Sequence, residues 1–104
     1  MRVIIESPFA GNVRENIEYA RKCLLDSLKR KEFPIASHLL YTQVLEDTNE
    51  EERELGITAG LEWGKFAKKT VVYTDLGISK GMEYGIAEAV KWEREIEYRK
   101  ILWL

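Results

Sequence analysis

The chain has one cysteine, Cys23, one histidine, His38, and only two prolines among its 104 residues. A single cysteine excludes a disulfide framework and a cysteine-built zinc site. A single histidine leaves a metal without a ligand set, so no metal and no cofactor are expected. No apolar run approaches the roughly 18 residues that a membrane span needs. The opening stretch MRVIIESP lacks the basic-then-apolar pattern of a secretory signal, so the cytoplasm is the expected compartment and no membrane partner is expected. A basic stripe is absent too: 16 Lys and Arg are interleaved with 18 Asp and Glu, for a formal net charge of -2. A long nucleic acid is therefore not an expected partner. Repeats, low-complexity tracts and Gly/Ser linkers are also lacking. The length is that of one domain, taken as 1–104.

What is present is an ordinary globular balance, 45% hydrophobic and 33% charged, with three tryptophans and five tyrosines. Such rings fill a core, stack on a ligand or line a subunit interface. Val3-Ile4-Ile5 reads as a buried strand ended by Ser7-Pro8. Residues 9–12 form a loop, and Asn12 is placed to cap a helix whose apolar positions are Val13, Ile17, Ala20, Leu24 and Leu28. Lys29, Arg30 and Lys31 sit where the helix dipole favours positive charge. Cys23 lies beside the apolar stripe as a small core or boundary residue.

Phe33 to Val44 is a second apolar stretch. Pro34 suits the start of a strand rather than its middle, and the second half of the stretch reads as a loop or short helical turn. Thr48 and Glu51 have capping-box spacing ahead of a helix whose face is marked by Leu55, Ala59, Trp63 and Phe66. The triplet Glu50-Glu51-Glu52 is a helix-start device. Residues 70–74 form a third strand with Asp75 at its carboxyl end. Leu76 to Lys80 is a loop, and Gly81 or Met82 starts a third helix with Ile86, Ala89 and Val90 on one face. Residues 93–100, rich in charge, extend that helix or form a loop. The apolar run 101–104 supplies the last strand.

The order β-α-β-α-β-α-β predicts an α/β fold of flavodoxin-like type. Its layers are α/β/α, and its short parallel sheet has four strands in the order 2-1-3-4. Ligands of such sheets bind beyond the carboxyl ends of the strands, where the strand order reverses. That rule selects Ser7, Pro8, Phe9, Gly11 and Asn12 after the first strand and the segment from Asp75 to Glu83 after the third.

Within the second segment Ser79 is the expected N-cap, and Gly81 lets the backbone approach a ligand closely. The free amides at a helix start attract an anion such as phosphate. Glu83 follows Ser79 by four residues, so both can face the crevice. A carboxylate held beside a sugar attacks the anomeric carbon or stabilises an oxocarbenium-like centre. Each residue also has a plainer reading. Glu83 offsets the helix dipole, Asp75 starts a loop, and Ser7 and Gly11 belong to a turn. His38 is a hydrogen-bonded structural residue or a pocket wall, with Tyr41 stacking on a base.

The run YTDLGISKGMEYGIAEAV, with Gly81-Met82-Glu83-Tyr84-Gly85 at its core, resembles the signature of the nucleoside 2-deoxyribosyltransferase-like superfamily. It is most similar to the short deoxynucleoside 5'-monophosphate N-hydrolases. Ile4-Ile5-Glu6-Ser7-Pro8 with Gly11 and Arg14 is similar to the first strand and base/phosphate loop of that family. The resemblance implies that Glu83 stands in the place of the nucleophile and Ser79 in that of a phosphate-holding serine. Asp75 stands for a further acid near the third strand. The chain also resembles a group of small, largely phage-borne proteins. Two activities are thus expected: cleavage or transfer of the N-glycosidic bond of a nucleoside or nucleoside monophosphate, or sequestration of a signalling nucleotide without turnover. A homodimer or larger homo-oligomer is expected, because a four-stranded sheet ending in an apolar run leaves surface to cover.

Overall fold

The computed structural model describes residues 1–101. Four strands, β1 (Arg2–Glu6), β2 (Phe33–Ile35), β3 (Lys69–Tyr73) and β4 (Glu95–Arg99), form one sheet in the order β2-β1-β3-β4. All three pairings are parallel. The helices are α1 (Val13–Lys29), α2 (Ser37–Leu40), α3 (Glu50–Gly64) and α4 (Lys80–Lys91), with a 3-10 turn at Tyr41–Gln43 after α2. The sheet order and α/β class are those expected from the sequence.

The central strands owe their place to β-branched residues that suit a sheet covered on both faces. Val3 and Ile5 of β1, with Val71 and Tyr73 of β3, form one core cluster with Tyr19 and Cys23 of α1 and with Ala36 and Ile101. On the opposite face Ile4 meets Gly64 of α3, and Glu6 meets Gly85 of α4. Glycine sets the spacing of this second layer. A Cβ at Gly60 would sit 2.5 Å from Ser37 Oγ, so α2 and α3 touch nearly backbone to side chain.

Four expectations are corrected. The fourth strand is the charged segment Glu95–Arg99. Ile101 packs in the core, and residues 102–104 lie outside the described residues. Charge marks β4 because it is an edge strand on which Glu97 and Arg99 are paired; such charges also guard an edge against foreign strands. In α1 the buried residues are Asn16, Tyr19, Ala20, Cys23, Asp26 and Ser27, while Val13 and Leu28 are exposed. The inward face mixes apolar with polar residues, and Asn16, Asp26 and Ser27 find partners there. In α3 the buried residues are Gly60 and Gly64, whereas Leu55, Trp63 and Phe66 face outward. Its N-cap is Asn49, whose side chain accepts from the Glu52 amide at 3.0 Å, rather than Thr48.

The polar side of α1 reaches a charge network beneath β3 and β4. Arg99 donates to both oxygens of Glu32 at 2.9 Å each, to Glu97 Oε2 at 2.8 Å and to the Tyr73 hydroxyl at 3.1 Å. Tyr73 in turn donates to Asp26 at 2.7 Å, and Arg30 reaches the same oxygen at 2.9 Å. Ser27 donates to Glu32 at 2.7 Å, and the Lys69 ammonium lies 2.7 Å from Glu97 and 3.4 Å from Glu32. Hydrogen bonds from Arg99 hold Glu32 and Glu97 at pKa values of about 2.

Removing one member of a buried pair strands the other. Arg99→Met is expected to cost about 3 kcal/mol in urea unfolding, and adding Glu32→Gln should recover part of it. Both carboxylates have folded pKa values below the ordinary 4.5. Their contribution is therefore complete above that value and is lost as pH falls toward about 2. Acid melts of Arg99→Met should show a shallower loss over that window.

Candidate functional site

The loop after β1 is shaped from below by α1. Asn12 accepts from the Glu15 amide at 3.2 Å and caps the helix as expected. Asn16, one turn further, donates to the carbonyls of Phe9 and Ala10 at 2.9 and 3.0 Å. Gly11 adopts φ +96°, a conformation that other residues resist. Pro8 is buried, Phe9 half-buried, and Gly11 and Asn12 exposed.

Ser7 is buried, and its Oγ shares a 2.6 Å hydrogen bond with His38 Nε2 on α2. Enclosure of the His38 ring lowers its pKa to about 4, so the imidazole is neutral at pH 7. Tyr41, half-buried on the 3-10 turn, follows on the same segment. The two halves of the predicted pocket wall, the loop 7–12 and His38, are thus joined by one contact.

The loop after β3 is anchored differently. Asp75 Oδ2 accepts from the Tyr19 hydroxyl at 2.5 Å and from the Ile101 amide at 3.1 Å, while the Asp75 amide donates to the Tyr19 oxygen at 3.0 Å. Asp75 therefore clamps α1 and the segment after β4 to the end of β3. Gly77 turns the chain with φ +86° and an amide bond to the Thr74 carbonyl at 3.0 Å. Ser79 caps α4, accepting from the Met82 amide at 3.3 Å. Gly81 and Glu83 are exposed in the first turn of α4. Among the described residues no hydrogen bond or ion pair joins Asp75 to Glu83, and the Glu83 side chain is uncommitted.

One residue escaped the sequence reading. Glu6, the last residue of β1, lies beneath the second turn of α4. A Cβ at Gly85 would sit 2.1 Å from its Oε2, so only glycine admits the carboxyl there. Burial raises the Glu6 pKa to about 8, against a smaller opposing effect of the Arg94 charge. The available signal was an acid closing an otherwise apolar strand, two residues before a proline. The last glycine of the Gly-x-Glu-x-Gly run is thus explained by Glu6.

Two clefts lie at the opposite, amino ends of the strands. One of about 650 Å³ is lined by Leu28, Phe33, Ile35, Trp63 and Phe66; one of about 350 Å³ by Lys65, Trp92 and Arg94. Neither touches the loops 7–12 or 75–83. Among the described residues no group of three or more His, Cys, Asp or Glu is placed to hold a metal ion.

A protein family described as "Domain of unknown function (DUF7768)" matches residues 1–99. No curated protein and no solved structure matches the chain.

The two perturbed groups act on stability in opposite senses. His38, lowered from 6.5 to about 4, costs stability as pH falls through that window. Glu6, raised from 4.5 to about 8, costs stability as pH rises through its own. Relative to the unaltered protein, thermal melts of His38→Gln should therefore lose less between pH 6.5 and 4. Those of Glu6→Gln should lose less between pH 4.5 and 8.

Proposed function

We propose that this chain, which belongs to the DUF7768 family, binds a nucleoside or nucleotide at the carboxyl ends of β1 and β3 and cleaves or transfers its N-glycosidic bond. The observation that carries the reading is the sheet order β2-β1-β3-β4. It puts the reversal of strand order between β1 and β3, which is where sheets of this class take their ligands. The resemblance of the segment around Glu83 to the nucleoside 2-deoxyribosyltransferase-like enzymes supplies the chemistry.

In this reading the loop of Ser7, Pro8, Phe9, Gly11 and Asn12 forms one wall. His38 and Tyr41 extend it, offering a neutral imidazole and an aromatic ring to a base. The first amides of α4, with Ser79 at the cap, hold a phosphate where the helix dipole favours negative charge. Gly81 keeps that approach open. Glu83, exposed and uncommitted, is the carboxylate for the anomeric carbon. Asp75 orients the β3–α4 loop through its bonds to Tyr19 and Ile101.

One observation favours the second reading, sequestration without turnover. The Asp75 carboxylate is spent on protein donors, so the pair Asp75 and Glu83 is not assembled as an acid and a base. A binding protein needs no such pair.

The test is incubation with a panel of nucleosides, nucleoside monophosphates and ADP-ribose-type molecules. Mass spectrometry then reads both the solution and the ligand freed by heating. Turnover predicts free base from the unaltered protein and a loss of about 10²-fold or more in Glu83→Gln, with binding kept. Intact ligand released only by heat would select sequestration. No ligand and no base would reject both.

We also propose a homodimer. Phe33, Trp63 and Phe66 are 66%, 56% and 70% exposed around the β2 edge, a cluster that a monomer rarely leaves bare. Pairing strand to strand is disfavoured there. The Phe33 amide is spent on the Met1 carbonyl at 2.8 Å, so alternation turns outward the backbone of Pro34, which has no N–H to offer. Contact through side chains is the remaining mode. Sedimentation at micromolar concentration should show a dimer, and Phe66→Lys a monomer; a monomeric parent protein would refute the proposal.

A further inference from the structure

The smaller cleft at the amino ends of the strands plays no part in the function proposed above. Its volume is about 350 Å³, and its walls are Lys65, Ala67, Lys68, Trp92, Glu93 and Arg94. These residues directly follow α3 and α4. Three cations and one acid thus surround a cleft whose one ring, the Trp92 indole, belongs to a residue that is 50% exposed. Trp92, Glu93 and Arg94 come from a single turn. The Glu93 amide donates to the Val90 carbonyl at 3.1 Å and the Arg94 amide to the Ala89 carbonyl at 2.8 Å. That pair of bonds closes many helices, with glycine the usual residue at the left-handed position. Here Glu93 holds that position at φ +54°, which brings a carboxylate to the cleft at a cost in backbone strain.

The ring and the guanidinium are both held in place. Trp92 Nε1 donates to Glu88 Oε1 at 2.9 Å, and the ammoniums of Lys65 and Lys91 lie 5.3 and 5.8 Å from the ring centre. Arg94 donates through Nε to Thr70 Oγ1 at 3.0 Å and through Nη1 to the Gly64 carbonyl at 2.5 Å. Its Nη2 makes no hydrogen bond with a described residue. Among the described residues no sealed side-chain nitrogen lacks a partner, so Nη2 reaches solvent. Burial lowers the Arg94 pKa against the charges of Glu88 and Glu6, yet a guanidinium stays charged. Arg94 is therefore a fixed cation, partly stripped of water, with donors to spare. Lys68 has no ion pair among the described residues. Lys65 shares Glu62 at 2.6 Å, but both ends are open to water and such a pair is worth little.

Cations near the ends of α3 and α4 offset the helix dipoles, which accounts for Lys65 and Lys91. It does not account for a half-exposed indole fixed beside a guanidinium with unspent donors. We infer that this cleft is a binding site for a small aromatic anion, its ring stacked on Trp92 and its carboxylate or phosphate held by Arg94, Lys65 and Lys68. Indole stacks on any planar ring, and guanidinium takes carboxylate and phosphate alike. Small-molecule sites begin at about 300 Å³, so this one admits a single ring system and not an extended chain. Glu93 opposes the anion and limits the charge that the site accepts. The inference is independent of the glycosidic reading, which concerns the opposite end of the sheet.

The probes are indole-3-carboxylate and adenosine 5'-monophosphate. Adenosine supplies a ring without the charge, and acetate and inorganic phosphate supply charge without the ring. Proton–nitrogen NMR reads the Trp92 indole N–H, assigned by its loss in Trp92→Phe. That resonance should move saturably with a ring anion at concentrations where none of the three controls moves it. The tighter of the two probes identifies the charged group as carboxylate or phosphate. Its affinity should fall as salt rises. Lys68→Gln should weaken it about threefold, and Glu93→Gln should tighten it by about the same factor. Both positions are exposed, and thermal melts check that the variants keep the fold. Opposite signs at these two positions are what a charge-reading site requires and a packing role would not give. A Trp92 resonance unmoved by both ring anions would overturn the proposal. So would an equal response to adenosine, or unchanged affinity in both Lys68→Gln and Glu93→Gln.

Discussion

The two-oxygen grip of Arg99 on Glu32 holds the far edge of this sheet. Arg99 ends β4, and Glu32 stands in the link between α1 and β2, on the other side of β1 and β3. One guanidinium thus ties the last strand to the first crossover. Its planar fork suits a carboxylate better than the single point charge of lysine would. Tyr73 and Asp26 extend the grip into α1, which is why that helix turns a polar flank toward the sheet. With the edge strand held, Ile101 can enter the core and its amide can reach Asp75, which fixes the end of β3 and the loop leading into α4.

The opposite face is organised by small residues. Gly64 and Gly85 bring α3 and α4 close to Ile4 and Glu6 of β1, and Gly60 brings α3 close to Ser37 of α2. Close packing of this kind leaves little room for relaxation. The end of β1 is therefore fixed by backbone approach, with Glu6 enclosed by a helix that could not lie so near if it carried a methyl at position 85.

Much of this was legible in the residues. Val3-Ile4-Ile5 and Thr70-Val71-Val72 announce central strands, and alternation with helical periodicity leads to the parallel order. Asn12 and Ser79 announce helix starts, because a short polar side chain before an amphipathic run has few other uses. The misreadings share one cause. Hydrophobicity is the ordinary mark of an inward face, and here several inward faces carry polar residues that are satisfied. β4 was hidden by its charges, the buried side of α1 by Asn16 and Asp26, and the inner face of α3 by glycines that have no hydropathy to show. Glu6 was passed over for the same reason, since an acid beside a loop normally reads as solvated. The joining of Ser7 to His38, 31 positions apart, depends on where α2 settles, and no local pattern encodes that.

The thiol of Cys23 sits at the centre of the α1 interface with no exposure, and burial pushes its pKa up to about 12. The thiolate, which is the form that reacts, is therefore scarce at physiological pH, and reagents have no path to the sulfur. Oxidants and alkylating agents should find the native fold silent. A thiol reagent can react only when α1 lifts from the sheet, so the rate of its reaction becomes a clock for that opening. The lone cysteine is a built-in reporter on the one interface that the buried charges and the apolar cluster share.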